Sequence, residues 1–164
     1  MGFSEASVLS KVGLGLAGAA LLFDVIGFAT DSWMTGSLNS GFIGSIDLSM
    51  GLFKRCAAAV CVSMDTDEDW LKGTKALVIL GFLLGLGSLA VIIVYLFFKT
   101  DQMLFKTVGL ALSFAAAGFT IIGIIVFAAK GTEEYKTMNL SWSFALTIIG
   151  GLLYCATGIV LLLG

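Results

Sequence analysis

Four long apolar runs constrain this chain more than any other feature. They are Val8 to Thr30, Thr74 to Phe98, Thr107 to Ala129, and a last run over 143–163 opened by Trp142. Each is long enough, at ~1.5 Å per helical residue, to cross a ~30 Å hydrocarbon layer. A hydrophobic content of 59%, a charged content of 12% and a mean hydropathy of +1.06 agree with a membrane protein and exclude an ordinary soluble domain. A net charge of -2 and a single arginine, Arg55, leave no basic cluster to neutralise phosphates, so nucleic acid is not an expected partner. The chain has no histidine, which removes the commonest general base, transition-metal ligand and pH switch. It has no proline either, which removes the usual transmembrane kink and any Pro-rich docking tail.

The runs divide one domain, 1–164, into spans at 8–30, 74–98, 107–129 and 143–163, a large first loop at 31–73, a short link at 99–106 and a second loop at 130–142. The first run is too long for a signal-peptide core and lacks a basic leading region, so it reads as a retained helix. Both ends of the large loop are thereby fixed at one bilayer face. Small residues recur inside the spans, and small residues let helix backbones approach closely, which is the main attraction available in lipid. Gly13 and Ala17 in the first span, the GxxxG pair Gly81 and Gly85 in the second, and Ala117 and Gly118 in the third are the expected packing positions. They serve either lateral association or a self-contained bundle. Asp24 is the one intramembrane acid; it is either an ion or proton station, or a structural group partnered by a hydroxyl, a water or a loop lysine such as Lys75.

The first loop carries the specificity. Ile46, Leu48 and Met50 alternate with Asp47 and Ser49, and Val60, Val62 and Met64 alternate with Cys61 and Ser63, which reads as strand. Asn39-Ser40-Gly41 supplies turn chemistry between the strand carrying Trp33 and the later strands. Cys56 and Cys61 fall across a short hairpin, where a disulfide is geometrically reasonable and would chiefly pin register. Asp65, Asp67, Glu68 and Asp69 form an acidic cluster ending in Trp70, an aromatic of the headgroup type. It reads as a solvated rim or as a partner contact.

Lysines leave orientation open, because Lys11, Lys99 and Lys106 on one side face Lys54, Arg55, Lys72, Lys75, Lys130 and Lys136 offset by eight acids on the other. The disulfide decides it: a hairpin cystine persists only in an oxidising compartment, which places both loops outside and both termini in the cytosol. Asn139-Leu140-Ser141 is a glycosylation sequon on that same face.

Four spans, a large first loop, Trp33, then Gly51-Leu52-Phe53-Lys54-Arg55-Cys56 and Cys61 resemble the superfamily of claudins, peripheral myelin protein, epithelial membrane proteins and stargazin-type channel subunits. That pattern is Trp, then Gly-Leu-Trp, two residues, Cys, and a second Cys; Trp142-Ser143-Phe144 also resembles the opening of the superfamily's fourth helix. The resemblance implies a left-handed four-helix bundle under a small extracellular antiparallel sheet, with one strand from the second loop. It also implies that Trp33, Leu52 and Phe53 pack at the membrane-side base of the sheet and that Cys56 with Cys61 locks it. The chain departs in Phe53, which replaces the usual Trp and lacks its indole donor, in a cysteine spacing shorter than that of claudins, and in the absent tail. Size and tail place it nearer the myelin and epithelial membrane protein branch.

The expected function is therefore non-catalytic and cofactor-free: a plasma-membrane tetraspan acting in cell-cell contact or membrane organisation. Its expected partners are lipids and other membrane proteins, whether like tetraspans in cis or trans or a larger channel or receptor. The alternative is an auxiliary subunit of an ion channel or receptor, as in the stargazin branch. An enzyme is disfavoured, because a Cys-x4-Cys pair in a loop and a lone Cys155 do not make a redox site, and Arg55 alone is no glutathione cradle.

Overall fold

The computed structural model describes residues 6–64, 68–98 and 101–164. The leader residues 1–5, the acidic segment 65–67 that holds Asp65 and Asp67, and residues 99–100 of the link lie outside the described residues. In lipid every backbone polar group must be satisfied within the segment, so an apolar run has to become a helix. The four helices are α1 (Val8–Ala29), α2 (Asp69–Phe98), α3 (Met103–Glu134) and α4 (Trp142–Leu163). All four are long and apolar enough to cross a membrane. They form a closed ring in which α1 packs on α2, α2 on α3, α3 on α4, and α4 back on α1.

Two helices outrun the apolar runs that announced them. Helix α2 begins at Asp69 rather than Thr74, and α3 spans Met103–Glu134 rather than 107–129. Hydropathy marks where a chain leaves lipid, whereas a helix ends where its hydrogen bonds end. Asp69 suits the first turn, where the helix dipole favours an anion. The Glu68 carbonyl accepts from the Leu71 and Lys72 amides, each at 3.2 Å. At the far end of α3, the Lys130–Glu133 pair at 3.2 Å and a Thr132 hydroxyl donating to the Ala128 carbonyl at 2.6 Å carry the helix into polar surroundings. Both extensions reach towards the same end of the bundle.

Inside the ring, small residues set the helix spacing. A Cβ on Gly81 would overlap the Thr120 hydroxyl of α3, and one on Gly85 would overlap the Tyr154 ring of α4, which reaches across the bundle. Gly13 lies against Leu161, 3.2 Å from a notional Cβ, and Ala17 and Ala117 are buried. Gly118 is a correction: nothing lies near it, and its buried neighbours are Ala116 and Ala117. Successive helical residues point about 100° apart, so a tract of small residues cannot all face one partner. The α1/α4 contact, which includes Gly13, also rests on glycines the sequence pattern did not single out. Gly27 sits against Thr147 and the Ser143 carbonyl, and Gly150 against the Ala20 carbonyl and the Asp24 amide.

Five strands gather at one end of the ring: β1 (Met34–Ser40), β2 (Gly44–Met50), β3 (Lys54–Ala57), β4 (Val60–Ser63) and β5 (Asn139–Leu140). Their order is β4-β3-β2-β1-β5, antiparallel throughout, so the second loop donates the strand at one edge. Trp33 precedes β1 instead of lying on it. The first turn is at 41–43 instead of 39–41, because β1 continues to Ser40 and Gly44, at φ +85°, reverses the chain. Register puts Met34, Leu38, Ile46, Leu48, Met50, Arg55, Val60 and Val62 on one face, and Thr35, Ser37, Asp47, Ser49, Cys56 and Cys61 on the other.

Candidate functional site: the sheet and its seat on the bundle

The seat is built around Trp33. Its fully buried indole lies edge-on to Phe127 of α3, with centroids 4.7 Å apart, and to Phe144 of α4 at 5.6 Å. The indole N–H donates to the Gly27 carbonyl at 2.7 Å, filling one of the acceptors that the end of α1 leaves open. Its own carbonyl accepts from Ser141 N–H at 2.9 Å, and the Ser32 carbonyl accepts from Ser143 N–H at 3.3 Å. One side chain and two peptide bonds thus tie α1, α3, β5 and the start of α4 together. Met34, Met50 and Leu52, all buried, fill the space beneath the sheet.

The next motif residues follow from this seat. Gly51 N–H donates to the Lys54 carbonyl at 2.8 Å in the turn between β2 and β3. A Cβ there would stand 2.7 Å from Asp31 Cα and 2.8 Å from the Thr30 carbonyl, so only glycine lets this turn rest on the end of α1. Leu52 plugs the base. Phe53 does not join it: 37% exposed, it meets the Phe28 ring edge-on at 6.4 Å and lies 5.8 Å from the Lys75 ammonium. Cys56 and Cys61 are cross-strand partners on β3 and β4 and form a disulfide. The turn they close holds Ala58 at φ +53°, the one non-glycine with positive φ among the described residues.

The sequence profile of the PMP-22/EMP/MP20/Claudin family matches residues 7–161. The chain belongs to this family. No single curated protein matches it. The four membrane helices and five-stranded sheet are the fold the resemblance implied, and the chain is a multi-pass membrane protein.

Around the seat of this claudin-family sheet runs a polar belt that sequence reasoning did not find. Arg55 Nη2 donates to the Tyr135 hydroxyl at 2.5 Å and its guanidinium sits 5.0 Å from that ring; the hydroxyl donates on to Glu68 Oε1 at 3.4 Å. Trp70 Nε1 donates to Glu134 Oε2 at 2.8 Å. The belt joins β3 to the start of α2 and the end of α3. Burial pushes the Tyr135 phenol above its ordinary range, with Arg55 opposing and Glu68 and Glu134 adding to the rise. Of the acidic cluster, Glu68 is thus partly turned inward, Asp69 is exposed in the first turn of α2, and Asp65 and Asp67 lie outside the described residues.

Asp24 is fully buried, and neither carboxylate oxygen makes a hydrogen bond among the described residues. Lys75 is not its partner, because that ammonium donates to the Met64 carbonyl at 3.0 Å beside Phe53. The polar group facing Asp24 is the Tyr154 hydroxyl from α4. Cys155 on α4 is a free thiol, half-buried.

Two surfaces remain open. One is a groove on the polar face of the sheet, lined by Thr35, Ser37, Asp47, Ser49, Thr137 and Asn139. The other is apolar: Val60 and Val62 on β4, Leu38 on β1, and Phe42 and Ile43 on the first turn are exposed. The alternation of Val60 and Val62 therefore marks a strand without marking a buried face. Among the described residues no group of three His, Cys, Asp or Glu side chains is placed to hold a metal.

Proposed function

We propose that this chain is a non-catalytic tetraspan of the plasma membrane, acting through its sheet at cell-cell contacts or in organising the membrane around it. Both loops lie outside and both termini in the cytosol, since a hairpin disulfide needs an oxidising compartment. The observation that carries the reading is the rigid mounting of the sheet. Trp33 and the polar belt fix it to all four helices, the Cys56–Cys61 bond ties β4 to β3 within it, and its exposed faces are left for something outside the chain. A surface held this firmly loses little conformational entropy when it binds.

The test is purification of a tagged copy from its native cells in gentle detergent, with measurement of native mass and identification of what travels with it. Self-assembly, or a like tetraspan from an apposing cell, supports the contact reading. A larger channel or receptor in fixed stoichiometry overturns it.

One observation favours that second reading, an auxiliary subunit. A shallow apolar groove lined by Gly18, Leu21, Leu22, Val25, Phe82 and Leu86 opens between α1 and α2, and Gly15 and Gly18 have nothing near them. Such a small-residue face suits a transmembrane helix of a partner. Bulky Gly18→Leu should then abolish co-purification of the larger protein while leaving the sheet intact.

A further inference from the structure

The most distal point of the sheet is also its least polar. Phe42 is 103% exposed and Ile43 81%, side by side on the turn between β1 and β2. They touch no part of the core, and a hairpin turn ordinarily takes Gly, Asn, Asp or Ser, so nothing in the folding of this chain calls for them. Single exposed apolar side chains are common. Two adjacent ones at a summit, bracketed by Gly41 and Gly44 and with no charged residue from Leu38 to Ile46, are a different arrangement.

We infer that the Phe42–Ile43 apex inserts into an apposed lipid bilayer. The inference rests on the outward orientation proposed above and adds to it an occupant. Strand β1 runs seven residues from its buried base at Met34 to Ser40, which at ~3.3 Å per residue puts the apex about 23 Å along the strand from the bundle. The neighbouring hairpin stops lower, because β3 meets β2 only as far up as Leu48; the apex overtops it by the length of Gly44–Asp47, about 13 Å. Pinned by β5 and Trp33 at its foot, the hairpin cannot bend down to its own membrane, and it leads any approach to another.

Area and shape select lipid over protein. Exposed Leu38, Val60 and Val62 stand lower on the sheet, so the apex itself is Phe42 and Ile43, which together offer roughly 300–400 Å², well under the ~800 Å² that each partner gives to a standard protein interface. The apex is two apolar side chains wide and bounded at once by Asn39, Ser40 and Ser45, so it lacks the breadth of a docking face. A second copy offers no apolar receptor either: the groove on the sheet is lined mainly by polar residues, and the apolar groove of α1 and α2 lies within the membrane. A bilayer interface needs no complementary shape, and two side chains reach its ~5–10 Å acyl boundary. Charge refines the class of lipid. The apex carries no cation and the nearest charge on the hairpin is Asp47, so zwitterionic headgroups are the target and anionic lipid confers no advantage.

The experiment uses the full chain in nanodiscs, sheet face free, mixed with protein-free phosphatidylcholine vesicles and separated by flotation. Wild type should float with the vesicles, and each of Phe42→Ser and Ile43→Ser should lower the bound fraction about 10- to 100-fold. Adding phosphatidylserine should not raise it. Phe42→Trp should retain binding and be quenched by brominated lipid in the vesicles, whereas Trp33, Trp70 and Trp142 in the wild type should not. Flotation of wild type and both serine variants alike, or an unquenched Phe42→Trp, overturns the insertion. Binding only to vesicles that carry this protein overturns the lipid inference and leaves the contact reading standing. Binding to neither overturns the insertion, and the contact reading is then decided by the co-purification described above.

Discussion

Replacing Trp33 by phenylalanine separates two contributions of one side chain. Phenylalanine keeps an aromatic body between Phe127 and Phe144 and loses the indole N–H that donates to the Gly27 carbonyl at 2.7 Å. That carbonyl is not wholly orphaned, because the Thr30 hydroxyl also reaches it at 3.2 Å. The cost is then one net hydrogen bond, about 0.5–1.5 kcal/mol, plus a small cavity where the second ring stood, for a total of about 1–3 kcal/mol. Trp33→Ala removes both edge-to-face pairs as well and empties a fully buried site, at about 3–5 kcal/mol. Unfolding of the purified protein by SDS titration in mixed micelles, followed by circular dichroism, measures both. The order wild type, then Trp33→Phe, then Trp33→Ala is expected, with the second gap at least as large as the first. A Trp33→Phe midpoint indistinguishable from wild type would show that the indole bond does not hold the sheet. An alanine variant no worse than phenylalanine would remove the aromatic seat from the argument.

Gly81→Ala should cost about 1–3 kcal/mol by pressing on Thr120, while Gly118→Ala, which faces open space, should change stability by less than about 0.5 kcal/mol in the same titration. Ala58→Gly should stabilise by up to about 1 kcal/mol, since φ +53° costs alanine and not glycine; a loss of stability would refute the strain assigned to that turn. Tyr135 gives a pH dependence. Its folded pKa is raised, so the folded state holds the phenolic proton longer, and the stability this contributes is intact below the ordinary value near pH 10 and falls as pH climbs through the raised one. Tyr135→Phe should flatten that alkaline decline, and an unchanged slope would assign it to another group. Asp24→Asn should fold, reach the cell surface and keep the proteins that co-purify with wild type; loss of those partners alone, with folding and delivery normal, would make Asp24 a working group rather than a structural one.

The helices were legible because burial in lipid demands long apolar runs, and their ends were not, because Asp69 and Glu134 extend them with hydrogen bonds that hydropathy does not record. The β2 alternation of Ile46, Leu48 and Met50 was readable since one face of that strand descends into the core. Gly81 and Gly85 carry the contacts their spacing suggested. Gly118 does not, for spacing within a tract cannot say which residue faces inward. The Arg55–Tyr135–Glu68–Trp70–Glu134 belt escaped notice because its members come from segments far apart in the chain, and no local pattern joins them. Phe42 and Ile43 were passed over because an apolar pair in a turn has no periodicity to mark it.

Asp24 also bears on the order in which the chain is made. It lies on α1, while the Tyr154 hydroxyl that faces it and the Gly150 that packs on it belong to α4. During synthesis the carboxyl must therefore wait, unshielded, until α4 has been made. The finished ring hides it completely, so the burial of this acid is a property of the whole ring and not of α1 alone.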